Sequence, residues 1–185
     1  MQKEFERKAA LTAEKFEATK KSLDKIAKGH TFTQENRYYD TEDFSLKRSS
    51  RTLRVRKIGD SLVREHKHGK SSVGDVRVCT EDNIPIDAYP SFIKGSEIGE
   101  SEDTVYFPIG ILTTERTEYV IDGACIALDK STYLGIVDYE IEVEMGDVSP
   151  LPSALLSLNI DFGKAVVGKY HRFVKRLLKL KNITN

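Results

Sequence analysis

The chain has 185 residues, of which 31% are charged, and its 29 basic and 29 acidic side chains give a formal net charge of zero. One all-β or α+β unit commonly reaches this length, so we expect a single domain over residues 1–185. General nucleic-acid and membrane-surface binders depend on a summed positive field, which a neutral chain lacks, so we expect neither partner.

The charges are segregated along the chain despite their balance. Residues 47–70 contain nine Lys or Arg and two acidic side chains, whereas residues 138–147 contain five acidic side chains and no basic one. The charged fraction also exceeds the roughly 25% that is typical of soluble domains. Both observations indicate that the charges serve a site.

The two cysteines, Cys79 and Cys125, are not arranged as Cys-x-x-Cys or with His ligands at zinc-binding spacing. Neither a disulfide framework nor a structural zinc site is therefore predicted. No apolar run approaches the ~18 residues that a membrane span needs. We expect a cytoplasmic protein with reduced thiols.

Hydrophobic periodicity predicts about eight strands, with helices near both ends of the chain. The first strand precedes a helix that opens at Leu11 and is ended by Gly29. The stretch 82–101 contains two prolines and two glycines, and it indicates a loop with a short helix at 89–94. The pattern is typical of an antiparallel barrel or sandwich with external helices. The predicted strands are 3–9, 31–40, 51–57, 60–67, 74–81, 109–121, 124–129 and 136–145.

Charged and apolar residues alternate within these strands, so each strand has a charged face and an apolar face. Residues 138–144 are the clearest case, with Asp or Glu at every even position. Alternation alone leaves open whether the charged faces meet water, as is common in antiparallel sheets, or an interior. Four carboxylates on one face repel each other, and a bound divalent cation would reverse that cost. A site for a metal ion and a polyanion would explain the acidic and the basic strands together.

The first strand resembles the opening signature of a known family. Residues 4–8, with the sequence EFERK, match the Glu-x-Glu-x-Lys signature of the CYTH superfamily, the triphosphate tunnel metalloenzymes. This resemblance extends over residues 4–170 and implies an α+β fold. Its core would be an eight-stranded antiparallel β-barrel that forms a tunnel with a polar, charged interior, and the helices would pack outside. The later family motifs, in order, are Tyr38-Tyr39-Asp40-Thr41, Leu53-Arg54-Val55-Arg56, Glu65-x-Lys67, Arg77 with Glu81, Arg116, and Glu140-Ile141-Glu142.

The resemblance also implies roles for individual residues. Mg²⁺ or Mn²⁺, which prefer oxygen ligands, would be held by Glu4, Glu6, Glu140 and Glu142. Glu144 is a weaker ligand candidate because it lies towards one end of the tunnel. The side chains that would hold phosphate oxygens are Lys8, Arg54, Arg56, Lys67, Arg116 and Lys169. The residues assigned to catalysis are Glu4, Glu6, Lys8 and Glu142.

Several positions depart from the family pattern or need separate expectations. Cys79 occupies a position that is often acidic in the family, and Thr114 stands near a position that is often basic. His66 and His68 have the opposite parity to Lys67 and are expected on an exposed outer face, while Tyr39 is expected to pack. Lys169 is expected on a C-terminal helix that closes one tunnel end, with most other basic residues of that helix in water.

The resemblance leaves several activities open, because fold alone does not choose among them. We favour hydrolysis of the terminal phosphate of inorganic tripolyphosphate or of an organic or nucleoside triphosphate. Thiamine triphosphatase, class IV adenylate cyclase and a non-catalytic polyphosphate or nucleotide binder are the alternatives. The partner is a small-molecule triphosphate in each case, and a homodimer is compatible with the sequence. Replacing Glu4 or Glu142 by Gln is expected to abolish turnover and to relieve like-charge repulsion, which would raise the melting temperature.

Overall fold

The computed structural model describes residues 2–163 and 166–181. These residues form nine strands, four α-helices and a 3₁₀ helix at Gly95–Ile98. The helices are α1 (Ala13–Leu23), α2 (Ser45–Arg48), α3 (Ser153–Leu156) and α4 (Lys169–Leu180). The strands are β1 (Gln2–Leu11), β2 (His30–Asp40), β3 (Thr52–Ile58), β4 (Ser61–Val73), β5 (Val76–Ile86), β6 (Ile93–Lys94), β7 (Val105–Ile121), β8 (Ala124–Tyr133) and β9 (Ile136–Met145).

Eight of these strands close into a barrel. They follow the order β2-β3-β4-β5-β1-β9-β8-β7, and β2 pairs with β7 to complete the circle. All of these pairings are antiparallel, whereas β6 adds only two residues to the start of β7. The predicted eight-stranded antiparallel barrel is therefore confirmed.

The main hydrophobic core lies outside the barrel wall. Apolar residues of β1, β7, β8 and β9 point outward, where α1 and the segment around α3 cover them. A second outer cluster covers β2 and β3 beneath α2 and β6. The alternating strands therefore turn their other, charged face inward. The outer residues of the main cluster are Ala9, Phe16, Leu23, Tyr119, Ile121, Ala124, Ile126, Leu128, Ile141, Val143, Leu155, Leu158 and Phe162.

Helix α4 closes one end of the barrel, as the sequence predicted. Its Tyr170 and Phe173 pack on Tyr38, which has the inward parity of β2, with ring centroids 5.1 and 5.3 Å apart. Gly110 of β7 permits this close approach, since a Cβ there would lie 2.6 Å from Phe173 Cζ. Its φ of +146° is also one that L side chains rarely adopt.

The predicted helix bounds were wrong. Helix α1 begins at Ala13 rather than at Leu11, because Leu11 belongs to β1 and the Thr12 hydroxyl caps the helix by accepting from Lys15 N–H at 3.1 Å. It ends at Leu23 rather than at Gly29, because the N–H groups of Lys25 and Ile26 bond to carbonyls only three residues back. The helix expected at 89–94 is absent there. The turn instead falls in the 3₁₀ helix that follows β6, where Lys94 N–H donates to Glu97 Oε1 at 2.9 Å. Among the described residues, no helix is both long and apolar enough to cross a bilayer.

Candidate functional site inside the barrel

The barrel encloses a cavity of about 900 Å³. The sequence analysis assigned ten residues to the site. Nine of them line the cavity: Glu4, Glu6, Lys8, Arg54, Arg56, Lys67, Arg116, Glu142 and Lys169. Glu140, the tenth, lies next to Lys169 at the end that α4 closes. The expectation that the charged strand faces turn inward is thus met.

The acidic row of β9 lies beside β1. Their register places Lys8 opposite Glu142 and Glu6 opposite Glu144. Lys8 Nζ lies 2.8 Å from Glu6 Oε2 and 3.1 Å from Glu142 Oε1. Burial alone would lower the pKa of Lys8, but the surrounding carboxylates raise it well above its usual value. Lys8 is therefore a fixed positive charge between two carboxylates.

Asp129 of β8 is a site residue that sequence reasoning missed. It is fully buried, and the Arg116 guanidinium donates to both of its oxygens at 2.7 Å. Lys169 Nζ also lies 2.7 Å from Asp129 Oδ2. The predicted strand 124–129 includes this residue, and β8 continues to Tyr133. Its alternation with Ile126 and Leu128, which lie in the outer core, was the available signal for the inward face.

Glu142 connects Lys8 of β1 with Arg116 and Lys169, the two cations that surround Asp129. Its Oε1 accepts from Lys8 at 3.1 Å and from Lys169 at 2.9 Å, and its Oε2 accepts from Arg116 at 2.6 Å. Burial opposes ionisation of this carboxyl, yet the three cations hold its pKa well below the usual range. Glu142 is thus a buried anion that is matched by three cations.

The basic strands β3 and β4 form the opposite wall. Arg54 donates to Glu65, and Arg56 lies 3.1 Å from the other oxygen of the same carboxylate. Lys67 Nζ donates to both oxygens of Glu4, at 2.8 and 2.6 Å. The Glu65 pairs thus join the neighbouring strands β3 and β4, and the Lys67–Glu4 pair joins β4 to β1 past the intervening strand β5.

The two departures from the family pattern have local partners. The Cys79 thiol donates to Glu4 Oε2 at 3.0 Å, and burial raises the pKa of that thiol to about 12, with Glu4 adding to the effect. Cys79 therefore stays protonated and supplies a hydrogen bond where a carboxylate would repel Glu4. The Thr114 and Ser131 hydroxyls share a hydrogen bond of 3.0 Å inside the barrel.

Three further expectations have mixed outcomes. Tyr39 packs as predicted, and its hydroxyl donates to the Pro90 carbonyl at 2.9 Å. His66 has the predicted outward parity but is buried rather than exposed. Arg172 of α4 is not in water either, because it donates to Asp138 at 2.9 Å and pairs with Glu140. Periodicity within a strand or a helix reveals neither the burial of His66 nor the β9 carboxylates that pair with Arg172.

These contacts correct the expected energetics of the acidic strand. The expectation of uncompensated repulsion, and of a higher melting temperature after Glu142→Gln, ignored cations from other strands. The structure places Lys8, Arg116 and Lys169 around that carboxylate. Removing one partner of a buried ion pair typically destabilises a protein, because the remaining charge loses its counterion.

Glu144, the last acidic residue of β9, has neighbours that oppose its ionisation. Burial first, and then Glu142 and Glu4, raise the pKa of Glu144 to about 7 from an unfolded value of 4.5. Arg116 and Lys67 act in the opposite direction. Since the folded state holds this proton more tightly, the contribution of Glu144 to stability is complete below pH 4.5 and is lost as the pH rises through about 7.

We therefore expect metal-free Glu144→Gln protein to melt at a higher temperature than the wild type at about pH 8. The neutral amide avoids the repulsion that the ionised carboxylate meets there. The difference should shrink towards pH 5, where the wild-type carboxyl is protonated. Thermal unfolding in chelator at both pH values measures this, and an equal difference at the two pH values would contradict the assignment.

The carboxylates suit a hard cation by their chemistry, and they are spread along the barrel. Asp129, Glu140 and Glu142 can place one oxygen each within 4.8 Å of the others. Glu4 lies farther away, since Glu140 is opposite Ala10, six residues along β1, or roughly 20 Å. The structure thus brings Glu140 and Glu142 together with Asp129, and Glu6 with Glu142 through Lys8. It does not gather Glu4 and Glu140 into one cluster.

Comparison with known proteins agrees with this architecture. The CYTH domain family model matches residues 2–161. YjbK of Bacillus subtilis (strain 168), named provisionally as a triphosphatase, is 30% identical over 152 residues, covering 78% of each chain.

Two solved structures share the fold. HpAC1 from Hippeastrum, described as an adenylyl cyclase candidate with a dominant triphosphatase activity, has a TM-score of 0.73 at 22% identity. The match covers 93% of this chain and 95% of HpAC1. An adenylate cyclase candidate from Bacillus halodurans has a TM-score of 0.60 at 24% identity and covers 100% of this chain and 94% of its own.

Proposed function

This chain belongs to the CYTH domain family, and on that basis we propose that it is a divalent-metal-dependent triphosphatase. We propose that residues 1–185 act as one domain on a small-molecule triphosphate in the cytoplasm. The preferred reaction is hydrolysis of the terminal phosphate of inorganic tripolyphosphate or of an organic or nucleoside triphosphate. The relative named as a triphosphatase supports the general activity.

The observation that carries the proposal is the set of ion pairs inside the cavity. Lys8, Arg116 and Lys169 all contact Glu142, while Arg54 and Lys67 contact carboxylates on other strands. A triphosphate can replace these carboxylates as the counterion of the cations. The carboxylates are then free to bind a metal ion, so that a metal–triphosphate complex satisfies both sets of charges.

The candidate metal ligands supply only oxygen atoms, as Mg²⁺ and Mn²⁺ prefer. The residues proposed to hold the ion are Glu4, Glu6, Glu140 and Glu142, with Asp129 added by the structure. Glu4 and Glu140 are too far apart along the barrel to bind one ion together, so a subset of the five would hold it; Mg²⁺ is commonly held by one or two carboxylates together with substrate phosphates. The bound ion would neutralise phosphate charge and assist the ionisation of water.

The basic residues would hold and polarise the substrate. Arg side chains can bind phosphate oxygens through two hydrogen bonds, whereas Lys acts as a point charge. Water attacks the terminal phosphorus in line with the bridging oxygen, and the P–O bond to that oxygen breaks. The cations absorb charge on the transferred phosphoryl group, and no protein nucleophile is required. The proposed phosphate-binding residues are Lys8, Arg54, Arg56, Lys67, Arg116 and Lys169.

The many charged side chains that line the cavity favour inorganic tripolyphosphate, or a triphosphate whose organic group makes few contacts with the protein. A thiamine triphosphatase needs an aromatic or apolar lip for the organic cation, and a cyclase needs an adenine pocket. Tyr38 and Tyr170 line the cavity at the end that α4 closes, and Phe5 and Phe162 also line it, so thiamine triphosphatase stays the alternative that the substrate profile must test. Profiling tripolyphosphate, ATP and thiamine triphosphate by phosphate release, together with an assay for cyclic nucleotide, distinguishes the activities.

Activity is expected to require Mg²⁺ or Mn²⁺ and to be lost in excess EDTA. Phosphate charge and the buried carboxylates cannot share the cavity without a cation that separates them. Phosphate release with and without chelator measures this requirement, and restoring the metal should restore the rate. Full turnover in excess EDTA would contradict the metal-dependent reading.

A further inference from the structure

A second group of metal-binding side chains lies on the outer wall of the barrel. His66 and His68 of β4 point outward, because Lys67 between them points into the cavity. Asp82 of β5 is directly opposite His66 in the antiparallel register, and so shares its outer face. The group is thus separated from the tunnel by the thickness of the sheet.

The three side chains offer two imidazole nitrogens and one carboxylate oxygen. One ligand atom from each lies within 4.8 Å of the others. His68 Nε2 is 3.1 Å from Asp82 Oδ2, and the two imidazole rings stack with centroids 5.0 Å apart. Tetrahedral Zn²⁺ with bonds of about 2.0–2.1 Å holds its ligand atoms roughly 3.3 Å apart, and the His68–Asp82 distance of 3.1 Å is close to that spacing.

His66 provides an independent indication of a ligand. His66 is only 5% exposed, and its Nε2 atom is buried with no hydrogen-bond partner among the described residues. Leaving a buried polar nitrogen unpaired costs about 1–3 kcal/mol. A bound metal ion would satisfy a nitrogen that is otherwise left unpaired, since a neutral imidazole nitrogen is a common metal ligand.

We propose that His66, His68 and Asp82 form a second metal site, for Zn²⁺ or a similar transition-metal ion. Imidazole nitrogen suits Zn²⁺, whereas the all-oxygen interior of the barrel suits Mg²⁺ or Mn²⁺. Three protein ligands leave the fourth tetrahedral position to water or to an external ligand. An ion there would join β4 to β5, the two strands whose inward faces supply Lys67 and Cys79 to the cavity. This inference does not depend on the proposed triphosphatase activity.

The test is a Co²⁺ titration of the metal-stripped, full-length protein in excess Mg²⁺. Co²⁺ substitutes for Zn²⁺, and four-coordinate Co²⁺ absorbs visible light far more strongly than six-coordinate Co²⁺ in an all-oxygen site. We expect the wild type to show this absorption at one ion per chain. His68→Ala and Asp82→Asn should each weaken binding by ~10-fold or more, because each removes a ligand. Both residues are partly exposed, so these variants should fold.

Two controls separate this site from other sites. His30→Ala removes an exposed histidine outside the group and should leave the absorption unchanged. Glu142→Gln alters the tunnel and should also leave it unchanged, whatever that variant does to phosphate release. Absence of the absorption in the wild type would overturn the proposal, and so would undiminished binding in both His68→Ala and Asp82→Asn.

Discussion

Glu142→Gln is expected to reduce triphosphate turnover by more than about 100-fold. Glu142 is a proposed metal ligand, and its carboxylate also positions Lys8, Arg116 and Lys169 through hydrogen bonds of 2.6 to 3.1 Å. The amide keeps the shape of the side chain but loses its charge. One substitution therefore affects both the metal side and the phosphate side of the cavity.

The same variant should also lower the melting temperature of the metal-free protein. Three buried cations lose their shared counterion, and breaking a buried pair typically costs about 3–5 kcal/mol. Thermal unfolding in chelator and phosphate release with Mg²⁺ measure the two effects separately. Glu115→Gln, on the exposed outer face of β7, is the matched control and should change neither by much. Wild-type turnover in Glu142→Gln would remove Glu142 from the proposed site.

The fold could be predicted because local patterns and family motifs agree. Alternation on β9 separates Glu140 and Glu142 from Ile141 and Val143, and the structure turns the first pair inward and the second into the outer core. Periodicity alone could not decide which face is inside, because a pleated strand has the same pattern in a tunnel and on a solvated sheet. The resemblance to tunnel enzymes supplied that choice.

The partners of each charge could not be predicted, because they come from strands that are distant in sequence. Glu142 contacts Lys8, 134 residues away, and Arg116, 26 residues away. A sequence shows that carboxylates on one strand are close, but it does not show which cations face them across a closed barrel. The expected repulsion was therefore wrong in sign for Glu142, whereas Glu144 has a raised pKa as repulsion and burial require.

Asp129 and His66 show two further limits of sequence analysis. Asp129 was missed although the predicted strand 124–129 includes it, because a single acidic residue at the end of the apolar run ACIAL has no alternating charge pattern of the kind seen on β9. His66 was assigned the correct face, but that face is buried at His66, and Arg64, two residues away on the same face, pairs with Glu97 of the 3₁₀ helix. Parity is a local property of a strand, whereas burial depends on tertiary packing.

Arg54→Ala and Arg56→Ala are expected to weaken tripolyphosphate binding by on the order of 2 kcal/mol or more each. Both side chains point into the cavity and can present two N–H groups to a phosphate. Arg54 is the more enclosed, with 9% of its side chain exposed against 21% for Arg56, so its loss should have the larger effect. Titration with a non-hydrolysed tripolyphosphate analogue at two ionic strengths measures the change in affinity.

Lys57→Ala is the matched control, because Lys57 lies on the same strand with the opposite parity and is exposed. Its loss should cost well under ~1 kcal/mol and should diminish further with salt. Arg51, one residue before β3, is a poorer control because it pairs with Glu100, and its replacement would also remove that contact. Arg54→Lys keeps the positive charge but loses the paired N–H groups of the guanidinium, so its affinity for the analogue should lie between those of the wild type and Arg54→Ala. Equal affinities of the Arg54, Arg56 and Lys57 variants would mean that the basic face of β3 does not bind the triphosphate.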